Sequence, residues 1–141
     1  MIQRLSHSTI YVGDQDKAKE FYVDKLGFDL KMDMVAGTFR WLTVSPKGQP
    51  DLELILMPIL QMGPRDEAAC ETLKQQLQLG NMPTGVFQTA DCQRTFEELT
   101  AKGVEFTMPP TDRFYGIEAI MKDPFGNWYS VTQPKPMPQS A

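Results

Sequence analysis

The stretch Leu5-Ser6-His7-Ser8-Thr9-Ile10-Tyr11-Val12-Gly13-Asp14 alternates as a strand and then stops at a residue suited to cap a helix. Residues 84–90, Thr-Gly-Val-Phe-Gln-Thr-Ala, run into Asp91 and repeat the pattern in the second half of the chain. After Asp14, the residues Ala18, Phe21, Tyr22 and Leu26 recur at helical spacing as far as Gly27. After Asp91, Cys92, Thr95, Phe96 and Leu99 do the same as far as Gly103. Each half therefore predicts a strand followed by a short amphipathic helix closed by glycine. Three more strands are expected after each helix, at 28–34, 39–44 and 52–57 and then at 105–108, 117–122 and 128–133. The turns between them are Ala36-Gly37, the run 45–48 and Asp123-Pro124-Phe125-Gly126-Asn127. The expected fold class is α+β, with two tandem βαβββ modules forming a curved mixed sheet around a groove.

The modules span about 4–57 and 83–133, within a single domain of residues 1–133. Between them, Asp66 is expected to cap a linker helix at about 66–79 that carries Ala69, Leu73 and Leu77 on one stripe. Residues 134–141 hold three prolines and are predicted to be a disordered tail. The 141 residues carry 14 Lys and Arg against 18 Asp and Glu, a net charge of -4, with no basic cluster to hold a phosphate backbone. Nucleic acid is thus not an expected partner. Cys70 and Cys92 lack a CxxC spacing and read as reduced thiols, and no apolar run is long enough for a membrane span. A cytoplasmic protein is expected, with no membrane partner.

Strand parity selects the candidate site residues. With Ile10 and Val12 facing the helix, His7, Thr9 and Tyr11 face the groove. Leu52, Leu54 and Leu56 claim one face of their strand, which leaves Glu53 with Ile55 and Met57 on the other. His7 and Glu53 could ligate a metal, exchange a proton or hydrogen-bond to each other. Phe87 and Trp128 are candidate stacking walls, and either Arg40 or Trp41 faces the groove. Tyr115, Gly116 and Glu118 form a further candidate segment in which the glycine admits a close backbone. The methionines of the first half, Met32, Met34 and Met57, with Met62 and Met82, could supply an adaptable apolar lining.

The residues from Leu5 to Asp14, with Phe21-Tyr22 and Leu26-Gly27-Phe28, resemble the opening of the vicinal oxygen chelate superfamily of glyoxalases, bleomycin-resistance proteins, fosfomycin thiol transferases and extradiol dioxygenases. Asp123 to Asn127 resembles that superfamily's turn before the last strand, and the likeness covers about 4–133. In its metal-dependent members, the ligand positions fall here on His7, Glu53, Gly85 and Ser130. Glycine offers no donor and serine a poor one, whereas a catalytic site keeps about three protein ligands. No cofactor and no dedicated metal are therefore expected; a metal, if present, would sit on His7 and Glu53. The resemblance implies a homodimer that binds a small apolar or aromatic molecule, and the candidates that strand parity and side-chain type offer for it are His7, Trp41, Glu53, Phe87, Tyr115 and Trp128. The alternative it implies is a divergent metal-dependent enzyme of lyase, thiol transferase or dioxygenase type that uses a divalent ion on His7 and Glu53. Catalytic candidates are His7, Glu53 and Glu118, and turnover is left open.

Overall fold

The computed structural model describes residues 1–59 and 67–136; Asp66, Met62 and the tail beyond 136 lie outside the described residues. The chain divides into two compact units, Met1–Leu79 and the part from Gly80 onward. Unit 1 contains β1 (His7–Tyr11), α1 (Gln15–Lys19), β2 (Asp29–Ala36), β3 (Phe39–Ser45), β4 (Glu53–Met57) and α2 (Glu67–Gln78). Unit 2 contains β5 (Pro83–Gln88), α3 (Cys92–Ala101), β6 (Glu105–Arg113), β7 (Gly116–Lys122) and β8 (Trp128–Pro134). The βαβββ order holds in both.

The first sheet runs β1-β4-β3-β2 and the second β5-β8-β7-β6. In each, the first and last strands of the unit pair in parallel and the other pairs are antiparallel. The result is two open mixed sheets. Asp14 and Asp91 cap their helices as expected, each carboxylate accepting from the backbone amide three residues on, at 3.0 Å. α1 then widens into a π-helix over Glu20–Lys25, which the spacing did not foreshadow. Within it, Leu26 N–H donates to Phe21 O at 2.9 Å, and the neighbours Phe21 and Tyr22 are both buried.

β6 is longer than expected. It runs on through Pro109 and Pro110, because β6 is the outer strand of its sheet, where missing N–H groups are tolerated. A bulge between Met108 and Thr111 absorbs them. At the other end β8 reaches Pro134, one residue into the stretch expected to be tail, and Lys135 N–H donates to Tyr115 O at 2.9 Å. Gly116 is required there, because a Cβ would lie 2.3 Å from the Gln133 carbonyl oxygen.

The face of the first sheet toward α1 is closed by charge as well as by apolar packing. Arg40 donates to Asp33 at 2.8 and 3.0 Å and to Asp16 of α1 at 2.6 Å, and Lys19 of α1 donates to Asp33 at 3.0 Å. The bond from Arg40, reinforced by Lys19, holds the Asp33 carboxyl well below the usual carboxylate range. A depressed folded-state pKa contributes stability above the unfolded value of about 3.9, and that stability is lost as pH falls toward the folded value. Asp33→Asn should therefore lower urea stability by about 1 kcal/mol at neutral pH. The gap between variant and parent should narrow progressively as pH falls below about 4; a gap independent of pH would contradict the assignment.

Candidate functional site

In unit 1, β1 and β4 pair with His7 opposite Glu53, and β3 pairs with β4 with Thr43 opposite Ile55. His7, Glu53 and Thr43 therefore share the face away from α1. His7 Nε2 lies 3.3 Å from Glu53 Oε2, and the Thr43 hydroxyl donates to Glu53 Oε1 at 2.7 Å. His7 Nδ1 is 3.0 Å from the Ser6 hydroxyl. With its proton on Nε2, the imidazole donates to Glu53 and accepts from Ser6, so one carboxylate orients the ring. Arg40 is committed to the α1 face, which assigns the opposite face to Trp41. Its ring centroid is 6.4 Å from that of His7 and 5.9 Å from that of Phe39, the latter pair stacked. Met32 and Met34 stand opposite Thr43 and Trp41 on β2. The aromatic pair thus has flexible apolar neighbours.

In unit 2 the face away from α3 carries Glu118, Ile120 and Lys122 of β7 opposite Thr132, Ser130 and Trp128 of β8. Glu118 was expected as a candidate, and its side chain is 14% exposed at the centre of a hydroxyl cluster. Tyr115 Oη and Ser130 Oγ donate to its two carboxylate oxygens at 2.5 Å each, Arg113 Nε lies 3.8 Å away, and Ser130 bonds Thr132 at 2.7 Å. The bond to Glu118 pushes the Tyr115 phenol above its ordinary value. Farther along this face, Gly80, Thr107, Ile120, Lys122 and Trp128 line an open recess of about 420 Å³.

Two expectations are corrected. Phe87 does not share a face with Trp128: it stands beside Val131, stacks on Tyr129 at 4.5 Å, and belongs to the face covered by α3. Parity within each strand was sound, but the register joining β5 to β8 fixes how the two strands' sets combine. Gly85 is likewise on the α3 face, where an added Cβ would sit 3.7 Å from the Tyr129 ring, and the residue across from Ser130 is Val86. Thr43 and Lys122 were not singled out from the sequence. Their signal was alternation with Trp41 and with Glu118, respectively.

These positions test a metal directly. Unit 1 offers His7 and Glu53, which face each other, and one glutamate oxygen is already bonded by Thr43. At the matching places unit 2 has Val86, which has no donor, and Ser130, whose hydroxyl is given to Glu118. Among the described residues no three His, Cys, Asp or Glu side chains gather as a metal-holding group. Unit 1 by itself thus offers two facing donors, against the about three protein ligands that a catalytic ion keeps. Cys70 and Cys92 are both buried and free of disulfides, and burial pushes the Cys92 thiol up.

Two βαβββ units, each with one sheet face closed by a helix and polar and aromatic groups gathered on the other, define the class of paired-module proteins suggested by the resemblance. A family model described as the Glyoxalase/Bleomycin resistance protein/Dioxygenase superfamily matches residues 4–131, and the chain belongs to that superfamily. It is 37% identical over 127 residues to YurT of Bacillus subtilis (strain 168), across 89% of this chain and 95% of that one. The crystal structure of UcmS2 is similar with a TM-score of 0.87 and 40% identity, over 94% of this chain and 99% of that one. The crystal structure of TnmS3, an antibiotic binding protein from Streptomyces sp. CB03234, is similar with a TM-score of 0.74 and 30% identity, over 95% and 98% of the two chains. No helix among the described residues is long and apolar enough to cross a membrane.

Tyr115 gives a direct reading of the unit 2 cluster. In an alkaline ultraviolet titration, Glu118→Gln should bring one tyrosine down toward the ordinary value of about 10, and Tyr115→Phe should remove that same transition. An unchanged tyrosine titration in Glu118→Gln would contradict the bond.

Proposed function

We propose that the protein binds a small, largely apolar or aromatic molecule on the sheet faces turned away from the helices, without a dedicated metal. The observation that carries this reading is the recess of about 420 Å³ with Trp128 and Ile120 in its wall, a size suited to a small ligand. Support comes also from the Trp41 and Phe39 pair with its methionine neighbours, and from likeness to a structure described as an antibiotic binding protein. His7 and Glu53 then set the polarity of the unit 1 face, and Tyr115, through Glu118, that of the unit 2 face. Phe87 supports the site through Tyr129 instead of touching the ligand.

Calorimetric titration with flat aromatic compounds tests the reading. Trp128→Ala should weaken binding about tenfold if the indole supplies about 1.4 kcal/mol, and chelation should leave affinity unchanged. Equal affinity in the parent and Trp128→Ala would move the site elsewhere. One equivalent of metal surviving dialysis and lost in Glu53→Ala would restore the second reading, an enzyme. An enzyme without metal is favoured by one observation, the Thr43 to Glu53 to His7 chain at 2.7 and 3.3 Å, in which Glu53 orients His7 for acid/base work.

A cytoplasmic homodimer belongs to the same proposal. β2 is an outer strand of eight residues that exposes Leu30, Met32, Met34 and Val35, an apolar surface a second copy would cover. Sedimentation at micromolar concentration should show twice the chain mass; a monomer throughout would refute it.

A further inference from the structure

Lys122 stands apart from most lysines whose partners are known. Lys19, Lys47, Lys74 and Lys135 each meet a carboxylate. Among the described residues none lies within ion-pair distance of Lys122, although it is half-buried in the wall of the unit 2 recess. The end of its side chain lies beside Gly80, at φ +74°, in space that a Cβ would enter: an added Cβ would sit 3.0 Å from Lys122 Nζ and 3.3 Å from Cε. Trp128 is the cross-strand partner of Lys122.

Resting on the reading that this face binds a small aromatic molecule, we infer that the molecule is an acid: a planar aromatic carboxylate with its ring against Trp128 and Ile120 and its carboxylate on Lys122. A half-buried cation is screened less than an exposed one, so a bound anion gains more here than on the open surface. One cation in a largely apolar recess suits a monoanion better than a phosphate, which calls for several donors. The other end of the face adds direction. Glu118 lies four residues back along β7 on the same face, about 13 Å away at strand spacing and already engaged by Tyr115 and Ser130. Its carboxylate repels an acid and favours the orientation that places the acid group at Lys122.

Calorimetry with 2-naphthoate and its neutral analogue 2-naphthamide separates the charge claim from the binding claim. The parent protein should prefer naphthoate about tenfold, as a hydrogen-bonded ion pair in a partly buried site allows. Lys122→Met should erase the preference between the two probes, and Lys122→Arg should retain most of it. Thermal melts confirm that both variants fold. Equal affinity for the two probes in the parent, or a preference unchanged in Lys122→Met, overturns the acid assignment while binding itself stands. Failure of both probes to bind the parent would overturn the acid assignment and the binding reading of this recess together.

Discussion

In each unit the helix that follows the first strand, α1 or α3, lies on one face of a four-stranded sheet, and the residues it covers decide what the other face shows. Side chains alternate along a strand, so burying Ile10, Leu42, Val44 and Leu56 on one side fixes His7, Trp41, Thr43 and Glu53 on the other. The same logic in unit 2 buries Ala119, Met121, Tyr129 and Val131 and turns Glu118, Ile120, Lys122, Trp128 and Ser130 the opposite way. A slip of one residue in either sheet would exchange core and site.

The two units use this frame for different chemistry. Thr43 of β3 and Glu53 of β4 form a hydroxyl-to-carboxylate bond in unit 1; at the corresponding strands of unit 2, the carboxylate is Glu118 on β7 and the hydroxyl is Ser130 on β8. The acid has moved to the neighbouring strand while the pairing of types is retained. One consequence is that Glu53 can address His7, whereas Glu118 is held by Tyr115 and Ser130 and Val86 stands where His7 would be. A partly buried carboxylate satisfied by hydroxyls is a fixed piece of wall that sets its polarity.

Much of this was legible from the residues. The repeat, the Asp14 and Asp91 caps, and the parity of His7 and Glu53 all follow from short-range patterns. Besides the π-helix, three features did not, each because it depends on how strands and turns pack against one another. The outer position of β6 licensed Pro109 and Pro110 inside a strand, and the β5 to β8 register separated Phe87 from Trp128. The third is Glu118, which strand pattern alone makes an edge residue. Its burial comes from Tyr115 and Ser130 closing over it, a contact that periodicity does not encode.

On the proposed reading, a sheet face turned away from its helix, and in unit 2 the Trp128 end of it, receives the ligand. The chain has two tryptophans, so their indole N–H signals in a nitrogen-proton correlation spectrum can be assigned by substitution and followed during titration with an aromatic acid. The account predicts a saturable shift of the Trp128 signal. Saturable shifts confined to amides of α3 and the Phe87 and Tyr129 side of the sheet, with Trp128 unmoved, would contradict it.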